Sequence, residues 1–235
     1  MNRAVHGSEK IITVTQATKD ELLKHFHVDA KKIVVTYEGV DLQLLAKKQP
    51  ALVTKPYFLF VGNVYPHKNA AALLKAYSRI LNQFPSLLFV FAGKEDYFYQ
   101  QIKEKIAKLG ISSSILFYRS PSDEQLSNLY KNAIALVSTS FMEGFGLPCL
   151  EAMANGTAVV ASDIASYREV LGSVPLYFDP GDVNSLTRRL EEAITQGKEG
   201  LSERISSGVQ RAKQYTWEKT AKETIDVYER SARLR

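Results

Sequence analysis

The chain has 235 residues, of which 45% are hydrophobic and 23% charged, and its formal net charge is +5. These values are ordinary for a globular protein. The longest apolar run, Leu87–Ala92, is far too short to span a membrane, and a lone cysteine, Cys149, excludes an internal disulfide.

The opening MNRAVHGSEK carries no apolar core of a secretory leader, and with the single cysteine it predicts a cytoplasmic protein. The mild basic excess suits phosphate ligands or an anionic membrane surface. No helix-turn-helix, RNP or zinc-finger pattern is present, so a nucleic-acid partner is not expected.

In chain order, Lys10–Val14 reads as a short strand, Lys19–His25 as a helix behind the capping residues Thr15 to Asp20, and Lys32–Thr36 as a second strand. Asp41–Lys55 lacks periodicity, carries Pro50 and lies just before Pro56, and reads as a linker. Tyr57–Val61 is a continuous apolar strand, the kind found in a sheet covered on both faces. The loop Gly62–Asn69 and a helix over Ala70–Gln83 follow. Strands at Leu87–Ala92, Ile115–Tyr118, Ile134–Ser138, Ala158–Ala161 and Pro175–Phe178 then alternate with helices at Tyr97–Leu109, Ser122–Lys131 and Pro148–Asn155. The alternation predicts a parallel, Rossmann-like α/β sheet with right-handed crossovers, followed by extra C-terminal helices at Asp182–Gln196, Leu201–Lys213 and Thr216–Arg233. Ligands of such sheets sit beyond the carboxyl ends of the strands, where the Gly62, Gly93, Arg119 and Glu143 loops fall. Trp217 is expected as a packing anchor, and Arg230, Arg233 and Arg235 as a solvated basic end or a peripheral membrane contact.

The densest chemistry lies in Phe141–Met153, FMEGFGLPCLEAM. Pro148 suits a first helical turn. Glu151 falls near that turn, where a negative charge is favoured. Gly144 and Gly146 leave backbone amides approachable, and amides at a helix start bind anions. A carboxylate beside them is better suited to accept hydrogen bonds from hydroxyls. Phosphate and vicinal hydroxyls in one ligand describe a nucleotide or a nucleotide sugar.

EGFGLPxLEAMAxG, followed by VVAS, resembles the signature of the retaining group 1 glycosyltransferases of the GT-B fold. The resemblance implies one half of that fold. Residues 1–41 would be a remnant of the N-terminal acceptor domain, 42–55 the linker, 56–215 the donor-binding domain and 216–235 a crossover helix returning to the first domain. It also implies roles. Lys68 would stabilise the leaving diphosphate and Glu143 would lie beside the donor sugar, the two catalytic candidates. Glu151 would accept from the ribose hydroxyls, and Phe145, Gly146 and Leu147 would offer backbone amides. Gly62, Asn63, Gly93 and Arg119 would complete the donor site, with the base near Arg119 and Gly93. Relatives commonly carry an arginine where Asn63 stands, so the diphosphate has one fewer cation, or Arg119 or Lys94 replaces it.

The implied reaction moves a sugar, with mannose from GDP-mannose the first choice, to a glycan or lipid-linked acceptor. No cofactor is expected. A metal is not expected either: there is no D-x-D pair, Asp179 and Asp182 have the wrong spacing, and the four histidines, His67 beside Lys68 among them, show no ligand pattern. Cys149 reads as a small packing residue. The acceptor pocket has no match in the sequence, so the isolated chain is expected to be an incomplete, inactive transferase. The alternatives are a donor-binding subunit that needs a separate acceptor-domain partner, and a nucleotide-sugar epimerase.

Overall fold

The computed structural model describes residues 2–41 and 50–232. The predicted linker falls partly outside them, as do Arg233 and Arg235.

Six parallel strands form the central sheet: β3 (Tyr57–Val61), β4 (Leu88–Gly93), β5 (Ile115–Arg119), β6 (Ala135–Ser138), β7 (Ala158–Ser162) and β8 (Leu176–Phe178). Their spatial order is β5-β4-β3-β6-β7-β8. Apolar side chains point from both faces, and β7 is buried at every position. Leu59 of β3 pairs in register with Val90 on one side and Leu136 on the other. On one face, Phe58, Phe60, Phe89 and Phe91 pack under α3 (Ala70–Ile80), α4 (Tyr97–Lys108) and α8 (Val183–Gly200). On the other, Leu59, Val90, Leu136 and Val159 pack under α5 (Asp123–Asn132), α6 (Leu147–Ala154), α7 (Ala165–Leu171) and α9 (Ser202–Ala212). Burial of the order of 1.5–3 kcal/mol per large apolar side chain drives this double layer.

The chain builds outward from β3 to β5, returns to place β6 beside β3, and builds outward again to β8. The strand order therefore reverses between β3 and β6. A crevice opens there at the carboxyl edge, because the loops on either side leave in opposite directions.

The N-terminal segment holds α1 (Asn2–Gly7), β1 (Ile11–Thr13), α2 (Gln16–His25) and β2 (Ile33–Val35), with β1 and β2 paired in parallel. It docks against the last helix, α10 (Trp217–Ala232). The Val40 amide donates to the Tyr215 carbonyl at 3.1 Å, and the Thr220 hydroxyl to the Tyr37 carbonyl at 2.8 Å. Gly39 lies so close that a Cβ there would stand 2.2 Å from the Trp217 nitrogen.

Most of the sequence-derived elements recur within a few residues, and the Ser122–Gln125 capping box is formed. Two helices were not foreseen, α1 and α7. Trp217 differs from expectation: its side chain is 49% exposed, and it is the backbone here that makes the close contact. The second half of the expected linker is pinned to α5, where Asn128 accepts from the Leu52 amide and donates to the Pro50 carbonyl. No helix among the described residues is long and apolar enough to cross a membrane.

Candidate functional site

The two loops flanking the crevice carry the site. After β3 the chain turns at Gly62, whose φ of 118° is a glycine conformation. The Gly62 carbonyl accepts from the Tyr99 hydroxyl at 2.8 Å, and a Cβ on Gly93 would lie 2.5 Å from that carbonyl. The two glycines thus let the ends of β3 and β4 touch. Half-buried Asn63 follows, and then a 3-10 turn over Pro66–Lys68. Asn69, at φ 53°, redirects the chain into α3.

Opposite, the loop after β6 is laced to this turn. The Thr139 hydroxyl donates to the Lys68 carbonyl at 2.7 Å, and the Phe141 amide to the His67 carbonyl at 2.8 Å. This lacing aims two side chains at each other across the crevice. The Lys68 ammonium donates to Glu143 Oε1, with side chains only 18% and 14% exposed. The Ser140 hydroxyl donates to the same oxygen at 2.7 Å. The pair borders a small pocket lined also by Ser138, Pro148 and Tyr167. With little water between them, the two charges interact more strongly than a surface pair would.

The glycine loop beyond Glu143 is held from the N-terminal segment. The Gly144 carbonyl accepts from the Thr15 hydroxyl at 2.8 Å and from the Thr18 hydroxyl at 3.3 Å. The Phe145 ring is buried between Tyr37 and Tyr215, with centroids 6.3 and 5.6 Å away, so its side chain belongs to the core and only its backbone is available to a ligand. Gly146, at φ 95°, starts α6, and a Cβ there would lie 2.5 Å from the Tyr167 ring. Leu147 and Pro148 form the first turn.

Glu151, one turn on, is half-buried. Burial pushes its carboxyl above the ordinary range; the hydrogen bond from the Tyr130 hydroxyl at 2.7 Å opposes this and the charge of Asp123 adds to it. Cys149 is fully packed, and burial, with Glu143 nearby, pushes its thiol up to about 12. A thiolate nucleophile is therefore disfavoured, and Cys149 packs as the sequence suggests.

The structure does not bring Arg119 to the Lys68–Glu143 pair. On β5 it pairs in register with Gly93 of β4, and its Nε forms an ion pair with Glu95 Oε2 at 2.6 Å. Three strand spacings separate β5 from β6, roughly 14 Å. Arg119 is thus placed beside Gly93, with two strand spacings, roughly 9 Å, between its strand and β3, whose loop carries Asn63. Lys94 is exposed just beyond β4. Among the described residues, no three His, Cys, Asp or Glu side chains cluster to hold a metal.

Sequence reasoning missed Glu169. Its carboxylate accepts from the Gln16 amide at 2.6 Å, the Ala17 amide at 2.8 Å and the Tyr37 hydroxyl at 2.9 Å. Burial and this carboxylate push the Tyr37 phenol up to about 12. Glu169 lies in α7, a stretch with no assigned element, so its role had no local signal. It fastens α2 above the glycine loop that Thr15 and Thr18 also grip.

Residues 43–211 match the family model described as "Glycosyl transferases group 1", and residues 1–44 that described as "Glycosyltransferase Family 4". The chain is 31% identical over 243 residues to O-antigen chain mannosyltransferase B of Escherichia coli, covering 97% of this chain and 62% of that protein. It is 34% identical over 185 residues to O-antigen chain mannosyltransferase RfbU of Salmonella typhimurium, covering 79% of this chain and 51% of that one. The chain thus spans between half and two thirds of the length of these two relatives. Among solved structures, sucrose-phosphate synthase from Thermosynechococcus elongatus superposes with a TM-score of 0.86 at 20% identity, over 100% of this chain and 61% of that one. Anabaena HepE in complex with UDP-glucose gives 0.84 at 18% identity, over 97% and 65%. At these identities the superpositions establish the shared GT-B architecture.

Proposed function

The chain belongs to the group 1 glycosyl transferases, and from that membership we propose that its six-stranded unit is the donor half of a retaining transferase, which moves mannose from GDP-mannose to a glycan or lipid-linked acceptor. The Lys68–Glu143 pair at the strand-order reversal carries this reading. Mannose is supported by the mannosyltransferases among the relatives.

In this mechanism, the incoming diphosphate takes the Lys68 ammonium as its counter-ion. Glu143, released from that pairing and still held by Ser140, turns to the hydroxyls of the donor sugar. As the glycosidic bond breaks, negative charge grows on the diphosphate. In this reading Lys68 and the backbone amides of the Phe145–Leu147 turn face that charge, and holding such donors in place before the reaction lowers the barrier. Glu151 accepts from the ribose hydroxyls, and Gly62 and Gly93 leave room for the base along the edge towards Arg119. No metal is assigned to the site. The acceptor side lies with an N-terminal half, of which residues 1–41 supply the last elements, so the described residues bind the donor and need that half, in the same chain or a partner, to transfer it.

Calorimetric titration of the chain with GDP, UDP and ADP, with and without a chelator, tests the reading. Selective binding of GDP that persists in chelator supports it. Binding of none, or epimerisation of a nucleotide sugar without acceptor, would overturn it.

A further inference from the structure

The glycine loop between Glu143 and α6 is held at several points. At its near end Glu143 is tied to Lys68 and Ser140. At its far end the Gly146 carbonyl accepts from the Cys149 and Leu150 amides, at 3.0 and 3.2 Å, in the first turn of α6. Between them the Phe145 ring is wedged against Tyr37 and Tyr215. The group these anchors leave free to turn is the peptide joining Gly144 to Phe145, because a glycine has no Cβ to oppose rotation of the peptide beside it.

The N-terminal segment holds that peptide. Thr15 is buried, and its hydroxyl donates to the Gly144 carbonyl at 2.8 Å. The Thr18 hydroxyl stands 3.3 Å from the same carbonyl and 2.7 Å from the Thr15 oxygen, so it backs the first contact. Val14 packs alongside: a Cβ on Gly144 would lie 3.3 Å from its methyl group. Thr15 is itself fixed, since it caps α2, and Glu169 accepts from the next two amides, Gln16 and Ala17. The Glu169 carbonyl in turn accepts from Arg211 of α9 at 2.6 Å. The hydroxyl that reaches Gly144 thus belongs to the N-terminal segment but is braced by the six-stranded unit.

In a trans peptide the carbonyl and the following N–H point to opposite sides. Pinning the Gly144 carbonyl against α2 therefore turns the Phe145 N–H away from α2. That amide has no acceptor among the described residues, and Phe145 is only 3% exposed. A buried donor left open in this way is costly until an acceptor arrives.

We propose that Thr15, with Thr18 behind it, is a positioning residue of the donor site: it sets the plane of the Gly144–Phe145 peptide so that the Phe145 amide meets the donor's diphosphate beside Lys68. The inference rests on the donor reading, and it adds that a side chain of residues 1–41 sets how the phosphate is held.

The test is titration of the chain with pyrophosphate, GDP and guanosine, followed by calorimetry and by the amide resonance of Phe145 in isotope-labelled protein. In the parent, pyrophosphate and GDP are expected to move that resonance downfield as the amide gains a charged acceptor. Thr15→Val keeps the shape of the side chain and removes the hydroxyl. It should weaken both ligands about tenfold, the worth of one hydrogen bond to a charged group, leave guanosine unchanged and abolish the downfield shift. Thr15→Ser keeps the hydroxyl and should restore both. If Thr15 served only as the cap of α2, Thr15→Val would quicken hydrogen exchange in α2 and leave the Phe145 response intact, and that result would overturn the proposal. So would a parent that binds pyrophosphate with the Phe145 amide unmoved, or a Thr15→Ser variant as weak as Thr15→Val. A chain that binds pyrophosphate through Phe145 in a Thr15-dependent way, with no preference for GDP, supports the positioning role and sinks the donor reading. A chain that binds neither overturns both.

Discussion

Lys68 and Glu143 reach each other only because two loops far apart in sequence meet at the strand-order reversal. Each is shielded enough that removing one leaves the other costly. Lys68→Ala is expected to cost about 3 kcal/mol of stability, much of it recovered by adding Glu143→Gln, as denaturant unfolding would show. The same variant should weaken GDP about 10- to 100-fold in calorimetry and leave guanosine unchanged, because only the diphosphate loses a charged partner. Equal losses would remove the role given to Lys68. Glu151 carries a different signature. Its folded pKa lies above the ordinary 4.5, so the folded protein holds the proton more tightly than the unfolded chain. Stability is fullest below pH 4.5, falls as pH rises through the window between that value and the raised one, and stays lower above it. Glu151→Gln keeps an oxygen for Tyr130 and should melt higher than the parent at pH 7, with the difference vanishing in acid, while GDP binds more weakly. Lost stability with unchanged affinity would make Glu151 purely structural. Gly146→Ala combines a φ of 95° with a Cβ 2.5 Å from the Tyr167 ring, and should cost more than about 2 kcal/mol in thermal unfolding. These positions were legible in sequence because glycine, proline and glutamate at close spacing leave few local conformations. The Lys68–Glu143 pairing was not, since no local pattern states which loop faces which.

At the scale of elements, α2 stands out because it has no buried residue. Its half-buried side chains pack against α7, β1 and β2 without a core of their own, so hydrogen bonds carry much of its anchoring. Thr15 caps it, accepting from the Thr18 amide, and Glu169 of α7 neutralises its exposed amides at Gln16 and Ala17. Glu169→Ala removes those bonds and the one from Tyr37. Hydrogen exchange across Gln16–His25 should accelerate, for a loss of about 1–3 kcal/mol, with the strands β3 to β8 unchanged. Unchanged exchange in α2 would show that Thr15 suffices. The strands and most helices were readable because buried parallel strands are continuous apolar runs and amphipathic helices repeat at their own period. α7 was hidden because it is short and lies in a stretch whose burial comes from both α6 and α9. The missing helix concealed the carboxylate that ties the N-terminal segment to the glycine loop.

The whole molecule joins two unequal parts: a six-stranded layer with a core on each face, and a small N-terminal pair of strands held by α10. Their junction is Gly39 against the backbone of Trp217. Gly39→Ala should loosen the β1–β2 pair and α10 together, seen as joint loss of exchange protection, with the central sheet retained. Loosening of one alone would mean that the two are held separately. That junction also makes the chain double back on itself. Lys10 near the start and Arg230 near the end line the same hollow. The six-stranded layer is thus a cassette whose incoming and outgoing connections lie side by side, so it could be permuted, or moved as a block between larger proteins, without rethreading its sheet.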